Sequence, residues 1–278
     1  MFKNLNCGAL GHKASFEEHV KLAKDYGFGG VDPDVGYARE KGVGATKELL
    51  AKNGLQFGGF GLGVRWREND SDRDYADSLE GFVKDCRLAA ELGVTRCMTW
   101  VMPCSDKLAY HEHFGLFVKR MTPIAQILKG FGQSLGLEFI GPRTLRASRK
   151  HGFIYTMDGM RAAAAAIGTG NVGFLLDAWH WYTAQATVTD LEQLEAREVV
   201  YVHLNDAPAG IHDNDQVDNK RELPGTGVID LKGFFAALKK IGYKGPVTVE
   251  PFNEPLKKMN LVDAVKATSA AMDKVNKW

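Results

Sequence analysis

The feature of this 278-residue chain that most constrains its fold is an alternation. Short apolar runs of strand length recur eight times, separated by stretches with helical apolar spacing or helix-start residues. The runs fall at residues 5–10, 29–32, 54–60, 95–101, 136–140, 173–177, 199–203 and 246–250. Helices are predicted over 15–26, 45–53, 75–92, 113–135, 156–167, 189–196 and 230–241, and one over 260–276 closes the chain. Ser15 with Glu18 three residues later reads as a capping box, and Gly27 and Gly93 are stop signals. Eight strands alternating with helices at this length predict one α/β domain over 1–278, a (β/α)8 TIM barrel. A doubly wound open sheet shows the same alternation, but no glycine-rich phosphate turn follows the first strand.

The rest of the composition narrows the function classes. A hydrophobic share of 45% is ample for one core, and no linker, tail or sequence repeat interrupts the chain. A formal charge of +1 gives no general basic surface, so nucleic acid is not an expected partner. No apolar run approaches the roughly 20 residues of a membrane span, and no signal-like leader opens the sequence. The expectation is a cytoplasmic protein with no membrane partner. Cys7, Cys86, Cys97 and Cys104 form no CxxC pair and read as reduced, packed thiols.

Chemistry enters at the ends of the last four runs. Glu138, Asp177, His203 and Glu250 stand at the ends of strands five to eight. In a parallel barrel these ends share one face and are consecutive around the ring, so the four side chains can reach one point. Three converging carboxylates are costly to bury without a compensating cation. Three oxygen ligands and one imidazole suit a single divalent ion, Mn²⁺ first, with Mg²⁺, Co²⁺ and Zn²⁺ also compatible. The lack of a thiolate argues against a structural zinc.

Beyond the four, His180 lies on the first turn after Asp177, placed to bond a substrate hydroxyl or donate a proton. Arg221 precedes the turn Leu-Pro-Gly-Thr-Gly, which can aim it at the barrel mouth. Asp206 reads as a residue that orients substrate or Arg221, and Trp100 as a wall for the apolar face of a sugar. His111 and His113, by contrast, read as a solvated helix start.

These residues, in Gly-Leu-Glu138-Phe-Ile, Leu-Asp177-Ala-Trp-His180, Val-His203-Leu-Asn-Asp206, Arg221-Glu-Leu-Pro-Gly and Val-Thr-Val-Glu250-Pro, resemble the sugar phosphate isomerase/epimerase superfamily. Those are the xylose-isomerase-like barrels that include ketose 3-epimerases. The resemblance implies a metal held by Glu138, Asp177, His203 and Glu250, with Glu138 and Glu250 as the acid/base pair on a small carbohydrate. It also leaves room for a homo-oligomer. The implied reaction is proton abstraction beside a carbonyl through a metal-stabilised enediolate, giving isomerisation or epimerisation. A lyase or dehydratase that expels a β-leaving group from a keto-sugar, keto-glycoside or keto-inositol is the alternative. One departure stands out: the epimerases carry a further glutamate shortly after the first metal ligand, where this chain has the basic loop Gly141-Pro-Arg143-Thr-Leu-Arg146. That loop points to an anionic substrate or to plain surface charge.

Overall fold

A computed structural model describes residues 1–278. Its strands are β1 (Phe2–Leu5), β2 (Gly30–Val31), β3 in two pieces (Gln56–Phe57 and Phe60–Gly61), β4 (Arg96–Val101), β5 (Ser134–Phe139), β6 (Val172–Asp177), β7 (Val199–Leu204) and β8 (Pro246–Val249). All pair in parallel, with β1 between β2 and β8 and the order running on from β8 through β7, β6 and β5 to β4. The ring closes within β3, whose first piece pairs with β2 and whose second pairs with β4. The chain is therefore a TIM barrel.

Gly58 and Gly59 make that closure feasible. A side chain at Gly58 would overlap the Asp32 carboxylate and Asn4, while the Gly59 amide donates to Asp32 Oδ1 at 3.0 Å. Inside the barrel the Asn4 amide nitrogen lies 2.8 Å from the Tyr201 hydroxyl, 2.9 Å from Thr248 Oγ1 and 2.9 Å from Asp32 Oδ1. Tyr201 in turn donates to Asp32 Oδ1 at 2.8 Å. The Asn4 side-chain nitrogen and the Tyr201 hydroxyl thus find partners across the barrel, while Asn4 Oδ1 has none.

The helices pack their apolar faces on the outside of this ring. Helix Asp72–Leu92 shows why its sequence takes that form: the Ser71 hydroxyl caps it by accepting the Asp74 amide at 3.0 Å, Phe82, Cys86, Ala89 and Leu92 recur on one buried face, and Gly93 stops it at positive φ. The four cysteines are free and buried.

Several boundaries differ from expectation for identifiable reasons. The first strand lies at Phe2–Leu5 because Phe2, Lys3 and Asn4 register against Pro246, Val247 and Thr248. Asn6 then accepts the Ala9 amide at 3.0 Å and turns the chain out of the sheet. The helix expected at 113–135 spans Tyr110–Gly130, opened by the Glu112 carboxylate accepting the Ala109 amide at 2.9 Å. Its first turn is solvated at His111 as expected, but His113 is buried and stacks on Phe153 at 3.8 Å. An unforeseen helix, Val35–Lys41, follows β2. The loop after β5 carries a helical turn, Arg143–Arg146, and a two-residue strand, His151–Gly152, antiparallel to Cys104–Ser105.

Two glycines separate close packing from backbone freedom. A Cβ on Gly173 in β6 would overlap the Glu198 carbonyl oxygen, whereas one on Gly115, inside helix Tyr110–Gly130, meets nothing within 4 Å. Urea unfolding should show Gly173→Ala destabilised by about 1–3 kcal/mol and Gly115→Ala stabilised by about 0.5–1 kcal/mol. Equal effects at both positions would contradict this packing.

Candidate metal centre

β5, β6 and β7 deliver Glu138, Asp177 and His203, and Glu250 follows directly on β8. One ligand atom from each falls within 4.8 Å of all the others. His203 Nδ1 is the centre, at 3.1 Å from Glu138 Oε1, 3.4 Å from Glu250 Oε2 and 3.9 Å from Asp177 Oδ2. Asp177 divides its two oxygens. Oδ1 caps helix Ala178–Thr183 by accepting the His180 amide at 3.0 Å, and Oδ2 faces the cluster. The cap fixes the carboxylate rotamer, so local helix chemistry aims a ligand.

Three second residues brace the set. The Asn205 side chain donates to Asp177 Oδ2 at 2.9 Å and to the Glu250 carbonyl at 3.3 Å. Arg221, 1% exposed, donates to Asp177 Oδ2 at 3.0 Å and to Glu250 Oε2 at 3.2 Å, while Asp218 accepts from its other terminal nitrogen at 2.8 Å. The sequence points to Arg221 and, through the polar cluster His203, Asn205 and Asp206, to Asn205, but not to Asp218. The run of polar residues after β7 was the available signal for Asn205.

Not every expected contact takes the expected form. His180 is fully buried, with Nδ1 facing the Gly141 amide at 3.3 Å and Nε2 facing the Arg221 guanidinium at 3.1 Å. Burial holds its pKa down at about 3, so the ring is neutral and has no proton to spare in this arrangement. Of the two roles expected of Asp206, its contacts lie on the Arg221 side, where its backbone pairs with that of Glu222, and not at the substrate cavity. Its carboxylate accepts the amides of Ala207, Gly225, Gly227 and Ile229 at 2.9–3.0 Å, so it ties down the loop that follows Arg221 instead. Arg146 is likewise occupied, donating to the Gly141 carbonyl at 2.6 Å with its guanidinium 4.3 Å from the Tyr155 ring centre. Trp100 stands at the end of β4, 44% exposed, with its Cα in register with Glu138.

Glu138, His203, Glu250 and Trp100 line a cavity of about 380 Å³ together with Asn6 and Asp32. Asp32 was legible as a strand end but not as a member of the site. Asn6 donates to its Oδ2 at 2.9 Å.

The electrostatics pass the test for a cation. Burial pushes the Glu138 carboxyl up to about 7, against the pull of His203. Burial acts the same way on Glu250, but His203 and Arg221 outweigh it and hold that carboxyl at about 2. Burial disfavours the His203 imidazolium, yet Glu250 and Glu138 overcome this and raise its pKa well above the ordinary value. In the metal-free protein a proton on His203 Nδ1 therefore stands among the carboxylates, where a metal ion would otherwise balance them.

A metal entering this site must release protons. Glu138 has its folded pKa raised above the unfolded value, so its proton is held below about pH 7 and lost above it. Metal affinity should accordingly climb as pH rises toward 7. Calorimetry with Mn²⁺ in buffers of different ionisation enthalpy should find at least one proton released per ion near pH 6.5. Release of none, with affinity flat from pH 5.5 to 7.5, would contradict the protonated cluster. Separately, Asp206→Ala should cost on the order of 3 kcal/mol in urea unfolding by orphaning buried amides.

A family model described as a xylose isomerase-like TIM barrel matches residues 20–277. An inosose isomerase from Bacillus subtilis (strain 168) is 24% identical over 216 residues, 76% of this chain and 73% of that protein. A solved xylose isomerase domain protein from Alicyclobacillus acidocaldarius subsp. acidocaldarius superimposes with a TM-score of 0.86 at 29% identity, over 98% of this chain and 97% of the other. The IOLI protein, solved with a bound zinc atom, shares the fold with a TM-score of 0.82 at 19% identity, over 99% of this chain and 98% of the other. The chain belongs to the xylose isomerase-like TIM barrel family, and like its isomerase relatives it is an enzyme.

Proposed function

We propose that this enzyme isomerises or epimerises a small carbohydrate by breaking a C–H bond beside a carbonyl, through an enediolate. The observation that carries the reading is the convergence of Glu138, Asp177, His203 and Glu250 at the C-terminal mouth of the barrel. These four residues would hold one divalent ion, Mn²⁺ by preference, with Mg²⁺, Co²⁺ or Zn²⁺ able to replace it. When bound, it would supply positive charge beside the substrate oxygens on which negative charge develops.

The side chains account for the proton. Glu250, kept ionised by His203 and Arg221, is fit to remove one. Glu138 lines the same cavity and is the second carboxylate, placed to return one. If they address opposite faces of the substrate, a stereocentre inverts; if one carboxylate serves adjacent carbons, the carbonyl migrates. Arg221 sets the charge and direction of Glu250, and His180 packs behind Arg221. Trp100 offers an exposed ring at the same cavity for the apolar side of a sugar or cyclitol. The similarity to inosose isomerase makes keto-inositols, with free ketoses, the first substrates to try.

The test is deuterium incorporation. Mn²⁺-loaded protein incubated with an inosose and with simple ketoses in D₂O should introduce deuterium beside the carbonyl, read by NMR. Glu138→Gln and Glu250→Gln should each slow that exchange about 10²–10⁴-fold. Release of water or an aglycone with an unsaturated product would instead mark a lyase. No exchange in any sugar, neutral or anionic, with metal bound, would end the isomerase reading.

A further inference from the structure

Next to the metal-ligand cavity lies a smaller one of about 130 Å³, lined by Trp66, Arg67, Glu68, Trp100, His113 and Arg149 among others. Trp100 borders both spaces. The second cavity opens on the same C-terminal side of the barrel, where the loops after β3 and β4 meet.

Arg67 is the unusual residue. Its guanidinium carbon sits 3.7 Å from the Trp100 ring centre and 4.7 Å from that of Trp66. Its one side-chain hydrogen bond runs to the Trp100 carbonyl at 3.2 Å, and no carboxylate oxygen lies within 4.0 Å. Two positions earlier, Arg65 has Asp70 and Asp74 as ion-pair partners. Asp70 acts on Arg67 only through space, so this half-buried guanidinium is a poorly compensated charge that a bound anion would stabilise.

The fold also holds Arg67 in place. Arg120, 5% exposed, reaches up from helix Tyr110–Gly130 and donates to the carbonyls of Trp66 at 3.2 Å, Arg67 at 2.6 Å and Asp70 at 2.9 Å. The Asp70 carboxylate accepts the Arg67 amide at 2.8 Å. Across the cavity, Arg149 comes no nearer than 3.6 Å to Glu68, whose carboxylate takes the Ser105 hydroxyl, and 3.9 Å to Asp106. His113, 7% exposed, lines the same space with Nδ1 unpartnered. Arg67 without a direct ion pair, Arg149 held to Glu68 and Asp106 only by long ion pairs, and the unpartnered His113 Nδ1 thus border a volume suited to one small oxyanion, in a prearranged setting.

We propose that this pocket is the subsite for an oxyanion group of the substrate, a carboxylate or a phosphate, whose carbonyl-bearing part lies over Glu138 and Glu250. The substrate class is then a sugar acid or sugar phosphate, and Arg67 with Arg149 selects it. This assignment rests on the isomerase reading for where the rest of the substrate lies. The anion itself is recognised by residues that touch neither the metal ligands nor the reacting carbon.

Calorimetric titration of the metal-free full chain with D-glucuronate, D-glucose 6-phosphate and D-glucose separates the two ideas. At least one anionic sugar should bind tenfold or more tightly than D-glucose, and whichever does identifies the anion. Arg67→Met and Arg149→Met should each remove that preference, while Arg65→Met keeps it and all three variants retain the wild-type unfolding midpoint. The proposal is overturned if the three sugars bind alike. It is equally overturned if the preference persists in Arg67→Met, or in Arg149→Met should Arg67→Met fail to fold. Because no metal is present, failure of deuterium exchange would sink the isomerase reading and leave this result standing.

Discussion

The site depends on an electrostatic problem posed by the barrel itself. Three carboxylates, from Glu138, Asp177 and Glu250, are brought to within hydrogen-bonding or ion-pairing reach of one imidazole nitrogen in a largely buried place. Like charges at that spacing repel strongly in a low dielectric. The neighbouring groups make sense as responses to that repulsion. Arg221 bridges Asp177 and Glu250, Asn205 donates to Asp177, and His203 carries a proton between the carboxylates. What remains uncompensated is an affinity for a divalent cation.

Solving that problem requires rigid loops at the mouth of the barrel, and two buried charged residues provide them by similar means. Asp206 gathers four backbone amides and fixes the segment after Arg221. Arg120 gathers three backbone carbonyls and fixes the segment around Arg67. Each spends a formal charge on backbone groups that strands and helices leave unpaired. Such bonds to charged groups are the stronger kind, and they set the positions of cationic side chains that the sites then use.

Much of this was legible in order along the chain. The alternation of strands and helices gave the barrel, and the polar residue closing each late apolar run gave all four members of the cluster. Local signals worked where the chemistry was local: Ser15 caps a helix through its own hydroxyl, and Gly93 ends one at positive φ. Reading failed where a residue's partner is far away in sequence. Of the two readings of the basic loop, an anion site or surface charge, the anion site is not favoured: Arg143 is exposed and Arg146 turns back to Gly141 and Tyr155. His113 looked solvated until Phe153, forty residues on, stacked against it.

By itself, the sequence determined the periodicities, the caps and the residue types at the strand ends, because these depend on neighbours within a few positions. Tertiary structure decided which of the polar residues face one another. Asp206 became a loop fastener, Asp32 became part of the cavity, and Arg67 was left without a direct ion pair between two tryptophans. Those outcomes follow from long-range placement by the closed ring, which a side chain's identity and local spacing do not encode.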